Sequence, residues 1–512
     1  MTPPPRCLPN SRSRARATRS RLPAWLLAAL AMTAAAPAWA QGRSMVWLIG
    51  SENVVPAETG PTPAGPEAPA SDLGASSVPP SGGGVLRAAD ALRRITSPRI
   101  LLAHPTGELG PMPSDPSASE ARPALQPLAR VFGQQAFNQP ARRPQRVAGS
   151  TAGVRADDLV SVLGRDLSAM SATDRGLIVM SGGHDVVGST DLMMGEDTRV
   201  PLARLEAVAM QAPRQAPLRF VFTSCGSPEW LRVIRPGAQD GRHLSPYNRC
   251  AFATAAMPRH PGACEPAPGD HTSHFLAVLS GRDATGQPLP STLSDLDGDR
   301  QRSLRDAHLA ALMLGDDIRL PVASTEAYLE RWQPLWLRYL DTTSEPRNEY
   351  GQLATELATR LRLPPRGRSL LVALQTRQAE LEGQQQRIER RLAELDVEIG
   401  ALQEQLKRGF LRRWPDAAHP HTAGYARFLA MDVQAAQTYL RSQIAYPDLV
   451  ERQDRRSEME RDRLGLERQL TALDKVLRLR QLARLKEQFD RHASAQARRD
   501  FERLDRCERS PV

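Results

Sequence analysis

A histidine and a cysteine stand 41 residues apart in this 512-residue chain, each just beyond a short apolar run. Leu177 to Met180 leads through Ser-Gly-Gly to His184, and Phe220 to Thr223 leads into Ser224-Cys225-Gly226. A thiol beside an imidazole is a usable nucleophile. The imidazole takes the thiol proton, stabilises the thiolate and later protonates a leaving amine. Backbone N–H groups at the two strand ends, those of Gly183, Asp185, Cys225 and Gly226, are the candidates for stabilising an oxyanion.

Such chemistry needs elements that bring the two residues together. A short aliphatic run bounded by glycine reads as a central strand of a parallel sheet, buried on both faces, and in open α/β sheets ligands sit at the carboxyl ends of such strands. One helix, Pro201 to Met210, separates the His184 strand from the strand opening the stretch Leu218 to Trp230. A right-handed crossover therefore places the two strands side by side. Further strands are read at Ser44 to Glu52, Arg99 to Pro105, Cys250 to Ala256 and His274 to Leu279, with helices at Leu86 to Ile95 and Val154 to Gly164. Alternation of this kind specifies an α/β fold with a doubly wound, mostly parallel sheet.

Two stretches interrupt this pattern. Residues 56–84 and 107–150 are rich in Pro, Gly, Ala and Ser, and read as flexible insertions. From about Thr325 the composition turns to Leu, Arg, Glu and Gln. Leu374, Leu381, Ile388, Leu395 and Leu402 recur every seven residues, with Leu392, Ile399 and Leu406 in the alternate seam. Leu466, Leu470, Leu473 and Leu477 repeat the spacing within a second stretch, about Leu449 to Cys507. A break with Pro415 and Pro420 and a helix from Ala423 to Ile444 lie between them. The two coiled-coil helices either fold back as an antiparallel hairpin or pair with another chain, which leaves self-association open.

The first forty residues carry six arginines and no acid, then an apolar run ending in Ala38-Trp39-Ala40. This reads as a secretory signal peptide of bacterial type, cleaved after Ala40, and predicts a periplasmic or secreted protein with residues 41–324 as its α/β domain and 325–512 as its helical region. Removing the leader leaves 61 basic against 57 acidic residues, so the net charge of +10 falls to about +4 and a nucleic-acid role loses its support. No later segment is apolar enough to predict a membrane span. Cys7 leaves with the leader. Of the remaining four cysteines, Cys250 and Cys264 flank a short Pro-rich loop and are a candidate disulfide, with Cys225 and Cys507 left over; the sequence does not fix the pairing, and a disulfide at Cys225 stays open.

Taken in order, several segments resemble the caspase-fold cysteine peptidases, and most of all the legumain family. "WLIGSEN" is similar to that family's first strand, "RAADALRR" to a helix start and "DDLVSVLG" to the helix before the histidine strand. "VMSGGHD" and "FTSCGS" are similar to the catalytic strand ends, and "FATAAMPRHPGAC" to a cleft-lining strand and loop. The resemblance covers roughly Ser44 to Leu279. It implies a cysteine endopeptidase acting on protein or peptide substrates without a cofactor, with Cys225 as nucleophile and His184 as general base and acid. It also implies substrate contacts by Arg87, Thr223, Thr254 and Gly262. The sequence departs from the family's pattern at three of these places. Asp185 stands where the family has Gly, Thr223 where legumains have an acidic residue, and Arg87 is what remains of a basic pair. A carboxylate beside a developing oxyanion is unfavourable unless it points away. This motivates an alternative: a catalytically impaired relative acting as a binding or scaffold protein through its coiled coil.

Other motifs carry less chemistry. Asp295, Asp297, Asp299 and Asp306 have the alternating spacing of a calcium loop, but Arg300 occupies the turn position where Gly is wanted. Ser303 with Asp306 reads instead as a capping box for the helix that follows. His271 and His274 lie in a polar loop on this reading, away from any ligand cluster, so no metal is expected. Gly182-Gly183 lacks the longer glycine pattern of a nucleotide loop.

Overall fold

The structure, a computed structural model, describes residues 42–50, 82–102, 108–109, 125–132, 145–147, 149–151, 156–181, 191–193, 199–223, 227–239, 243–254, 271–283, 286–296, 299–316, 318, 320–333, 346–419 and 422–511. The signal-peptide reading of residues 1–40 and most of the 56–84 insertion fall outside them.

The strands in chain order are β1 (Ser44–Gly50), β2 (Arg99–Leu102), β3 (Glu108–Leu109), β4 (Gln145–Arg146), β5 (Ser150–Thr151), β6 (Arg175–Ser181), β7 (Asp191–Met193), β8 (Arg199–Pro201), β9 (Leu218–Phe222), β10 (Arg249–Ala253) and β11 (Val322–Ala323). Seven of them form one sheet in the order β11-β10-β9-β6-β1-β2-β5. Its pairings are parallel except for β11, which lies antiparallel to β10 at the edge. β3 with β4 and β7 with β8 make two small antiparallel pairs.

The helices are α1 (Gly82–Arg93), α2 (Gln126–Phe132), α3 (Ala156–Ser168), α4 (Leu202–Ala209), α5 (His271–Ser280), α6 (Ser291–Ser294), α7 (Leu304–Leu314), α8 (Ser324–Trp332), α9 (Glu349–Arg360), α10 (Gly367–Arg413), α11 (Ala423–Met431), α12 (Val433–Ser442), α13 (Ala445–His492) and α14 (Ala495–Glu508). Alternation along the central strands divides the sheet's two faces. Trp47, Ile49, Ile178, Met180, Phe220 and Phe222 share one core with α3, α4 and a 3-10 helix at Ser227–Ile234. Val46, Leu48, Leu177, Val179, Val221 and Phe252 share the other with α1, α5 and α7. Helices on both faces explain why these strands are aliphatic throughout rather than alternating with polar residues. The expected α/β sheet is therefore present, with one antiparallel edge strand.

Residues 43–512 form one compact unit. α10 and α13 pair as an antiparallel hairpin within the chain. Arg377 donates to Gln469 (3.2 Å) near one end, while Glu398 accepts from Arg452 (2.8 Å) further along, so numbers rise on one helix as they fall on the other. Leu374, Leu381, Leu395, Leu470 and Leu473 are buried along the seam. The chain then returns to the sheet, where the bond Cys250–Cys507 fastens α14 to β10.

Four expectations are corrected. Residues 274–279 belong to the helix α5, not to a strand, since a six-residue apolar run does not by itself distinguish a buried helix from a strand. His271 and His274 are likewise on that helix rather than in a polar loop. Residues 82–84 belong to α1, so the first insertion ends before them, and the stretch 107–150 contains α2, with Leu128 and Val131 fully buried, so the second is not wholly unpacked. Finally, Cys250 pairs with Cys507, 257 residues away, and not with Cys264, which lies outside the described residues.

Candidate functional site

The carboxyl ends of β6, β9 and β10 lie side by side. β6 and β9 pair in parallel from Gly176 with Leu218 to Met180 with Phe222, and β9 pairs with β10 from Leu218 with Arg249 to Phe222 with Ala253. The next residues continue the ladder. Thr223 N–H donates to Met180 O (3.0 Å) and Thr254 N–H to Phe222 O (2.9 Å). The Thr223 hydroxyl also donates to Met180 O (3.2 Å). Behind this edge Phe222 meets Trp230 edge-on, with ring centroids 5.3 Å apart. Both rings are fully buried, so the end of β9 is held by packing as well as by hydrogen bonds.

Ser181, Thr223 and Thr254 close these three strands, and all three are buried. A hydroxyl in such a place costs free energy unless it is hydrogen-bonded. Thr223 meets that need through Met180. The Thr254 hydroxyl has no hydrogen-bond partner among the described residues.

His184 and Cys225 follow the last residues of β6 and β9 by three positions each. Both lie outside the described residues, as do Gly183, Asp185, Gly226 and Gly262. Of the other candidates, Thr223 and Thr254 stand together at the strand ends, while Arg87 is on the exposed side of α1. The Asp295 loop is a capping structure. Ser303 accepts from the Asp306 amide (3.0 Å), and Asp306 accepts from the Ser303 amide (3.1 Å) and from Leu296 N–H (2.9 Å). Arg300 there adopts a positive φ of 65° and donates its N–H to Asp295 (3.0 Å). Asp297 lies outside the described residues. Among the described residues no three His, Cys, Asp or Glu side chains are grouped as metal ligands.

A second buried polar assembly went unseen in the sequence. Arg305, on α7, is buried and reaches Glu349 (2.6 Å), the Tyr350 hydroxyl (2.6 Å), the Thr325 hydroxyl (3.0 Å) and Glu508 (3.4 Å). Glu508, on α14, accepts from the Ser324 hydroxyl (2.7 Å), the Thr325 amide (2.8 Å) and the Thr325 hydroxyl (2.7 Å). Glu326 bonds the His308 ring (2.9 Å) and Arg478 of α13 (3.4 Å). Burial pushes the Glu508 carboxyl up to about 7 despite these donors. Burial acts the same way on Glu326, but His308, Arg478 and Arg305 outweigh it and hold that carboxyl at about 2. Burial also lowers the His308 pKa, against the pull of Glu326. The assembly ties the sheet's edge to α9, α13 and α14. Locally, Glu326 also accepts from the Ala323 amide at the start of α8 (3.2 Å), while the long-range partners leave no pattern in the sequence.

The amino ends of β9 and β10 are also polar and fasten structure. Arg219, fully buried, donates to Gly176 O (3.2 Å) and Pro511 O (2.8 Å), and Arg249 to Glu206 (2.8 Å). Comparison with protein-family models, with curated proteins and with solved structures returns no match to this chain.

Proposed function

We propose that this protein is an exported cysteine endopeptidase of caspase-like type, hydrolysing peptide bonds with Cys225 as nucleophile and His184 as general base and acid. The observation that carries the reading is the parallel pairing of β6 with β9. The segments bearing His184 and Cys225 leave neighbouring strand ends at the edge where open α/β sheets bind ligands. In the proposed cycle the His184 ring takes the Cys225 thiol proton, and the thiolate adds to the scissile carbonyl. The ring returns the proton to the leaving amine, and water, deprotonated by the same ring, then releases the acid from the thioester. Backbone N–H groups of the two segments hold the oxyanion.

Export is part of the proposal. The arginine-rich apolar leader supports it, and so does the Cys250–Cys507 bond, which suits an oxidising compartment. No described helix is long and apolar enough to cross a membrane. The helical region serves here to position the peptidase: its apolar seam is consumed within the chain, and its last helix is bonded to the sheet.

Alkylation of Cys225 by iodoacetamide across a pH series tests the dyad directly. The expected profile shows thiolate reactivity well below the ordinary thiol pKa of about 8.5, moving up toward it in His184→Ala. An ordinary profile, unchanged in His184→Ala, contradicts the reading. Asp185 favours a second reading, that of a catalytically impaired binding protein on the same fold. Asp185→Gly separates the two: a gain of peptidase activity from an inert parent supports impairment.

A further inference from the structure

The helix α2 sits on the far end of the α10–α13 hairpin, some 270 or more residues away in sequence from the hairpin residues that hold it. Seven residues are too few for a helix to persist in water by itself, so its form depends on docking. Leu128 and Val131 are fully buried in the same apolar cluster as Leu395, Ile399 and Phe410. Phe132 meets Phe410 edge-on, with centroids 5.1 Å apart. The carbonyl of Arg130, one of the four that a helix end leaves without intrahelical partners, accepts from Gln403 of α10 (2.9 Å) and from Gln453 of α13 (2.8 Å). The Arg130 guanidinium reaches Asp454 (2.9 Å). Both arms of the hairpin therefore hold one short helix by its backbone, its apolar face and its charge.

We propose that this end of the hairpin is a recognition groove for short amphipathic helices, filled in the resting protein by its own α2 and opened to a partner protein when α2 leaves. The partner it fits presents apolar residues in the spacing of Leu128, Val131 and Phe132, with a basic residue at the place of Arg130. Two features make α2 an exchangeable occupant rather than a fixed core element. The sequence joins it to its neighbouring strands β3 and β4 by 16 and 12 residues containing several prolines. Its backbone is held by glutamine side chains, which offer any helix end the same donors. Docking by an amphipathic helix in an apolar groove is a recurring mode of recognition, and a tethered occupant competes at an effective concentration near millimolar.

The test uses the full-length protein and a fluorescein-labelled peptide of residues 123–135. In the Leu128→Asp/Val131→Asp double variant the tethered helix no longer fits, and fluorescence anisotropy is expected to show at least tenfold tighter peptide binding than in the unaltered protein. Adding Gln403→Leu and Gln453→Leu is expected to weaken it again. Equal affinity for both proteins, or no binding to a folded double variant, overturns the proposal. Should the double variant not fold, hydrogen exchange of the unaltered protein with excess peptide decides. Faster exchange at residues 128–132 with α10 unchanged supports displacement, and unchanged exchange at 128–132 overturns it.

Discussion

Thr223, at the end of β9, gives both its amide and its hydroxyl to one atom, the Met180 carbonyl at the end of β6, at 3.0 and 3.2 Å. The resemblance to legumains assigns this position a part in substrate selection, but the hydroxyl is spent on tying the two strand ends together. Thr223→Val keeps the shape and the amide bond and removes the second one. Urea unfolding is expected to show a loss of about 1 kcal/mol. A variant as stable as the parent would show that the hydroxyl contributes nothing there.

The Cys250–Cys507 bond closes a loop spanning 257 positions and fastens the last helix to the sheet. Chain-entropy reasoning for a loop of this length puts its contribution at about 5 kcal/mol. Cys507→Ser is expected to lower the urea midpoint accordingly, and mass mapping of the unreduced protein to recover one cross-linked peptide containing Cys250 and Cys507. Recovery of a Cys250–Cys264 peptide instead would contradict the pairing.

Glu508 makes stability fall as pH rises. Its carboxyl ordinarily titrates near 4.5 and is pushed up to about 7 in the folded protein. Between these values the folded state keeps a proton that the unfolded chain has released, so stability is full below about 4.5 and declines toward 7, by at most about 3 kcal/mol. Glu326, held at about 2, acts in the other direction, but its contribution is lost only as pH falls from 4.5 toward 2, outside this window. His308, lowered by burial, favours stability above its ordinary 6.5, so the readout is the difference between wild type and Glu508→Gln. Thermal melts from pH 4.5 to 8 are expected to show wild type losing ground to the variant as pH rises. Parallel curves would contradict the shift.

Arg305 is the cation shared by Glu349 and Glu508. Above about pH 7, where Glu508 is ionised, Arg305→Met leaves buried Glu508 and half-buried Glu349 without their shared cation, and removing one partner of a buried pair typically costs about 3–5 kcal/mol. Chemical denaturation is expected to register that loss. The Arg305→Met/Glu508→Gln pair should recover part of it, and a double variant that recovers nothing would argue against direct coupling of the two.

Much of the sheet was legible because its strands are buried on both faces: Val46 to Ile49, Leu177 to Met180 and Phe220 to Phe222 are short apolar runs with few other readings. The seam of α10 and α13 was equally plain from its seven-residue repeat. The failures share a physical cause. The α2 helix owes its form to a hairpin some 270 residues later in the chain, and the partner of Cys250 is set by where α14 returns; neither leaves a local pattern. Residues 274–279 misled because a buried helix at the sheet's face is as apolar as a strand. At the candidate site, Thr223 and Thr254 were named from resemblance, whereas the bond from Thr223 to Met180 depends on strand register alone. Arg305 and Glu508 were invisible, since a buried ion pair looks in sequence like any two charged residues.

Peptide-bond hydrolysis by Cys225 is tested most directly on peptides. Purified mature protein, kept free of strong reductant so that Cys250–Cys507 stays closed, is incubated with a diverse peptide library beside Cys225→Ala and His184→Ala variants, and products are read by mass spectrometry. Cleavage by the parent is expected, with a shared residue preference beside the broken bond, and none by either variant. Cleavage that persists in Cys225→Ala would contradict hydrolysis by Cys225, as would a folded parent with an alkylatable Cys225 that cleaves nothing.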